Sequence, residues 1–140
     1  MVRLLGLLGL ALLFTACDSG TDSLVLDGEY TGTGQFEVIL GGNSSFGDAT
    51  FTVTFDDQSP GFISGGVRLE ETVNGAPPQT FTGTLSGELM ESGDLTISGL
   101  LPGLSGGDRQ VIFSGTATSD RIEVGVSGTY QLTSDLVLRR

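Results

Sequence analysis

Hydrophobic and polar positions change character twice along this chain. Residues 4–14 form an almost unbroken apolar run from Leu4 to Phe14, preceded by one positive charge at Arg3. Residues 18–27 are mixed and mostly polar. From Gly28 onward, apolar and polar side chains alternate with a period of two, punctuated by glycine, asparagine, aspartate and proline. That period belongs to strands with one buried and one wetted face. It predicts eight strands, at 28–40, 48–57, 61–73, 79–90, 93–99, 109–118, 120–132 and 134–139.

The faces are easily sorted. Tyr30, Phe36, Val38 and Leu40 share one side of the first strand, against Glu29, Thr31, Thr33, Gln35 and Glu37. Phe51, Val53 and Phe55 oppose Thr50, Thr52 and Thr54 in the second. Phe81, Leu85 and Leu89 oppose a row of threonine, serine and glutamate in the fourth. Ile122, Val124, Val126 and Tyr130 do the same in the seventh. One wet face per strand indicates an antiparallel sheet, because parallel sheets are covered on both sides. The core should then hold Phe36, Phe51, Phe55, Phe81 and Phe113. No stretch shows the 3.6-residue period of an amphipathic helix.

Glycine makes the sheet a barrel. There are 23 glycines, and several fall inside strands on the apolar side: Gly32, Gly34, Gly83, Gly87, Gly99, Gly115 and Gly128. Strand glycines permit the bends and coiling that closing a small barrel requires, and closure removes exposed edges. Short connections throughout predict an antiparallel eight-stranded up-and-down barrel. A transmembrane barrel alternates in the same way with its faces inverted. Aromatic girdles are missing, however, and strands 93–99 and 134–139 fall short of the ~9–11 residues a spanning strand needs.

The apolar start has its own meaning. A charged residue, an apolar run and the small residues Thr15-Ala16 before Cys17 make a secretory signal peptide. Residues 4–14 are too few to cross a bilayer as a helix, which takes ~20 residues. Leu13-Phe14-Thr15-Ala16-Cys17 resembles the lipobox of bacterial lipoproteins. The resemblance implies cleavage before Cys17, a diacylglycerol on its thiol, and acylation of the new amino group. Two or more acyl chains anchor a protein stably to a membrane. The chain then divides into a signal peptide (1–16), a lipidated N-terminus and tether (17–27) and a β-barrel domain (28–140). The expected address is the cell envelope: a bacterial membrane, most simply the outer membrane or cell surface, with the domain facing the periplasm or exterior.

Composition narrows the partners. Once Arg3 leaves with the signal, 17 acidic side chains face five arginines, and lysine, histidine and tryptophan are absent. So acidic a surface repels nucleic acid. With Cys17 lipidated, no thiol remains for a disulfide. Histidine-based nucleophilic catalysis, zinc binding of the usual kind and lysine Schiff bases have no residues to use, so the sequence predicts a non-enzyme without cofactor or metal. Two carboxylates suffice for glycoside hydrolysis, but neighbours such as Asp56-Asp57 and Glu70-Glu71 point to opposite faces of a strand. They read as turn and solvent-face charges. Asp56, Asp57, Asp94 and Asp108 could serve calcium in loops, yet lack the spacing of a dedicated calcium loop. Arg68 reads as an exposed strand residue, the alternative being an inward or rim position that pairs with a carboxylate or a ligand acid.

The order of the β segment carries a further resemblance. Gly28-Glu29-Tyr30-Thr31-Gly32 opens it, and Gly128-Thr129-Tyr130, followed by Leu136-Val137-Leu138-Arg139, closes it. This looks like the small lipocalin-like (calycin) barrels of bacterial lipoproteins over residues 27–140, without the tryptophan signature of true lipocalins. Two functions follow. The first is a non-catalytic structural or interaction module of the envelope, acting through loops 41–47, 74–79 and 101–108 on an envelope protein. The second is a carrier holding a small apolar ligand or acyl chain among Tyr30, Phe36, Phe113 and Tyr130, with the tyrosines as polar handles.

Overall fold

The computed structural model describes residues 23–40, 42–73, 76–103 and 108–140. The predicted signal peptide, Cys17 and the first part of the tether lie outside the described residues. Nine strand segments follow one another: β1 (Gly28–Leu40), β2 (Asn43–Ser59), β3 (Phe62–Val73), β4 (Gln79–Leu89), β5 (Asp94–Leu101), β6 (Arg109–Ala117), β7 (Arg121–Gly128), β8 (Tyr130–Leu132) and β9 (Leu136–Arg139). β1 through β7 pair antiparallel in sequence order. β9 pairs with β7, and both β8 and β9 return to β1. β8 and β9 are two lengths of one stave, so the sheet is a closed antiparallel up-and-down barrel of eight staves. Among the described residues there is no helix.

The last two predicted strands divide differently from expectation. The strand expected at 120–132 ends at Gly128, whose φ of 117° suits glycine alone. A Cβ there would collide with the Gln110 carbonyl oxygen. Thr129 then turns the corner, its Oγ1 accepting the Gln110 N–H at 2.9 Å, and Tyr130–Leu132 pairs with Val38–Phe36 of β1. Alternation runs unbroken through the corner, so the period could not show it. β2 is also longer than expected, because its hairpin with β1 stays paired out to Leu40 and Asn43.

Inward side chains fill the middle. Tyr30, Phe36, Phe51, Phe113 and Tyr130 are essentially inaccessible, joined by Leu, Ile or Val side chains of β2 to β7 and β9. The rings touch in series. Phe36 stacks on Tyr130 at 5.0 Å between centroids, Tyr130 meets Phe51 edge-on at 5.9 Å, and Phe51 meets Phe113 at 5.4 Å. Outward positions carry Thr31, Thr82, Thr84, Ser86, Glu88 and Glu123, all exposed. A wall facing hydrocarbon needs the opposite arrangement.

The inward glycines make no room for a ligand. A Cβ at Gly115 would strike the Glu123 carbonyl oxygen of the next strand. The space such glycines free is taken by neighbouring backbone, which lets the sheet coil tightly enough to close.

The barrel has two distinct ends. The turns 60–61, 90–93 and 118–120 lie at the end where the chain enters, with Arg140. The strand ends Leu40, Asn43, Val73, Gln79, Leu101, Arg109 and Gly128, with residue 129, lie at the other, here called the far end. At the entry end, part of the expected tether belongs to the folded body. Leu26 is buried in the core, Leu24 packs against it, and Gln58 clasps the segment. Its Oε1 accepts the Leu26 N–H at 3.0 Å, and its Nε2 donates to the Leu24 carbonyl. A polar-looking segment hid two leucines that seal a barrel mouth.

Candidate functional site

The four residues expected to line a ligand site are spread along the barrel. Tyr30 lies at the entry end, where its hydroxyl donates to the Ser119 carbonyl at 2.8 Å and its ring meets Phe55 at 5.8 Å. Burial pushes its ionisation upward. Phe113 sits mid-barrel against Phe51, and Phe36 and Tyr130 stack towards the far end. Rings in contact occupy the volume between them.

What the sequence missed is a polar cluster inside the far end. Glu71 and Arg109, near the ends of β3 and β6, point inward and are only 4% exposed. Arg109 Nη2 donates to Glu71 Oε1 at 3.1 Å, and the guanidinium lies over the Phe81 ring, 5.0 Å from its centroid. The other carboxylate oxygen, Oε2, is buried without a hydrogen-bond partner, as is the Tyr130 hydroxyl. Burial pushes the Tyr130 ionisation strongly upward, the Glu71 charge adds to that, and Arg109 opposes it.

Glu71 therefore corrects the expectation that the Glu70-Glu71 pair belongs to the solvent face. Only Glu70 does, where it pairs with Arg68 on the outer wall. The signal was present in the phase: Glu71 follows Val67 and Leu69 at intervals of two, and Arg109 precedes Val111 and Phe113. Reading Glu71 as a surface charge gave residue type more weight than periodicity. A buried charge needs a partner, and the only inward arginine among the described residues supplies it.

The remaining carboxylates are scattered. A register shift between Phe55 and Asp57 inserts Asp56 as a bulge and leaves both aspartates exposed at the entry end. Asp94 accepts from the Ser92 hydroxyl at that end, whereas Asp108 accepts the Gly103 N–H at the far end. Among the described residues, no three acidic or cysteine side chains are grouped to hold a metal ion.

At the entry end, a hollow of about 230 Å³ opens beside the clasped segment, lined by Leu24, Val25, Pro60, Leu89 and Met90 among others. Compared with family models, with curated proteins and with solved structures, the chain matches none.

Proposed function

We propose that this protein is an exported lipoprotein held in a bacterial envelope by lipid on Cys17, and that its lipocalin-like barrel is a non-catalytic scaffold for interaction. The observation that carries this reading is the filled interior. Contacting aromatic rings run along the barrel, and Leu26 closes the entry end. A carrier of acyl chains needs a largely pre-formed apolar cavity. The scaffold instead presents its connections. Of the stretches named from sequence, the described residues 42–47, 76–79, 101–103 and 108 lie towards the far end, with 43–47 belonging to β2 rather than to a loop. Anchorage at Cys17 would hold the entry end near the bilayer and turn these stretches outward, towards an envelope partner.

Fractionation tests the anchor. Cys17→Ser should move the protein from the membrane pellet to the soluble fraction. Persistence in the pellet after a high-salt wash would contradict lipid anchorage.

The carrier reading keeps one observation in its favour, the unpartnered Tyr130 hydroxyl and Glu71 Oε2 inside the far end. In that reading they would meet the polar head of a small ligand. Saturable, stoichiometric binding of a fluorescent fatty acid to the purified domain, abolished by Tyr130→Phe, would establish it over the scaffold reading.

A further inference from the structure

We infer that the entry end is a shallow seat on the bilayer surface, formed by Val25, Phe62 and Met90. The inference rests on the lipid anchor proposed above. Five large apolar side chains are conspicuously exposed among the described residues: Val25 at 57%, Phe46 at 54%, Phe62 at 42%, Met90 at 48% and Leu100 at 51%. Three of the five sit at the entry end. Val25 and Met90 line the same hollow of about 230 Å³, together with Pro60 and Gly61. Phe62 is the next residue after that turn and pairs with Ser59 to close the hairpin. The seat is thus built from the β2–β3 tip, the β4–β5 tip and the incoming chain. Clustered exposed apolar side chains mark a surface that meets something apolar.

The chain itself names the occupant. Ser23 is the first described residue, and only residues 18–22 separate it from Cys17. At about 3.3–3.6 Å per residue, that stretch reaches roughly 20 Å when fully extended. An acylated Cys17 therefore keeps this end, and no other, within reach of the lipid headgroups. Gln58 holds Leu24 and Leu26 against the barrel, so Val25 between them is fixed facing out. Apolar side chains on such a surface settle about 5–10 Å into the headgroup boundary.

Charge sets which lipid the seat accepts. Glu91 lines the hollow, and Asp56 and Asp57 are exposed on the neighbouring strand end. Carboxylates beside the apolar tips disfavour anionic headgroups. The seat should prefer a neutral surface such as phosphatidylcholine and weaken as anionic lipid is added.

Lipidated full-length mature protein in phosphatidylcholine vesicles provides the test. Cys17 is the only cysteine, so once it is acylated an introduced cysteine is the sole free thiol. Met90→Cys, Phe62→Cys and, at the far end, Leu100→Cys would each carry an environment-sensitive fluorophore, with brominated lipid as the quencher. Labels at 90 and 62 should be clearly quenched and the label at 100 almost unaffected, as shallow insertion of the entry end requires. Equal quenching at all three sites, or none at any, with acylated Cys17 verified by intact mass, would overturn the seat and leave the anchor standing. A mass without acyl chains would overturn anchor and seat together. A blue shift at 90 that ignores brominated lipid and vanishes on dilution would point to a second copy of this chain as the occupant, and would equally overturn the inference.

Discussion

At the entry end the barrel is closed by its own chain, with Leu26 in the core, a glutamine satisfying the backbone on both sides of Val25, and the Tyr30 hydroxyl donating to Ser119. At the far end the corresponding depth is held by a buried ion pair, with one carboxylate oxygen and one hydroxyl left without partners. The surfaces differ in the opposite sense. Charged residues crowd the entry end, among them Asp27, Asp56, Asp57, Glu91, Asp120, Arg121 and Arg140. The stretches 38–47, 72–87, 95–107 and 124–134, which cross the far end, carry none. One end has a satisfied interior and a charged rim; the other has a charged interior and a rim with few charges, Asp108 among them. Interfaces that exclude water are depleted of charge at their centre. The contrast thus agrees with a far end that meets a partner and an entry end that bears the attachment.

The largest effect should come from breaking the buried pair. Glu71→Ala or Arg109→Ala alone leaves an uncompensated charge and should cost about 3–5 kcal/mol in denaturant unfolding. Replacing both, as Glu71→Leu with Arg109→Met, should recover most of that loss or exceed the parent's stability. If the double replacement is no better than the singles, the far-end charges are not acting as a desolvated pair.

At the entry end, Leu26→Ala should cost about 2–5 kcal/mol through cavity formation. Gln58→Ala should cost less, about 1–2 kcal/mol, for a lost clasp on two backbone groups. Equal small losses from both would mean that residues 24–27 are a loose tether after all.

Tyr130→Phe sharpens the comparison through its sign. Removing a hydroxyl that has no partner should leave stability unchanged or raise it by up to about 1 kcal/mol at neutral pH. The folded-state ionisation of Tyr130 lies above the unfolded value, so its neutral form stabilises the fold fully below about pH 10 and less as pH rises past it. The phenylalanine variant should therefore lose less stability above pH 10 than the parent. A variant that loses as much would show that Tyr130 is solvated in the folded state.

The smallest effect belongs to the outer wall. Thr52→Ala, half-buried and outward on β2, should change stability by no more than about 0.5 kcal/mol. A loss as large as that from Leu26→Ala would invert the assignment of faces.

Most of the barrel was legible because a period of two, sustained from Tyr30 to Leu138, reports burial directly. The phenylalanines expected inside are there. Three features escaped, each for a physical reason. The corner at Gly128 is a backbone conformation that leaves alternation intact. Leu24 and Leu26 stand among polar residues, and their burial depends on Gln58, 32 residues away from Leu26. Glu71 and Arg109 were in phase with the core, but a charge is assigned inward only when its counter-charge is known, and pairing across the barrel is not a local property. Cys17 and the signal segment lie outside the described residues, so the sequence alone speaks for them.

The central claim is that the barrel is a filled scaffold with no separate cargo, attached by covalent lipid. Native mass spectrometry of the protein extracted from its host membrane in mild detergent measures this directly. The account predicts one species, the chain from Cys17 to Arg140 plus its covalent acyl groups, with no further mass released on collisional activation. A stoichiometric lipid or other small molecule that leaves the folded protein as a non-covalent adduct would contradict it.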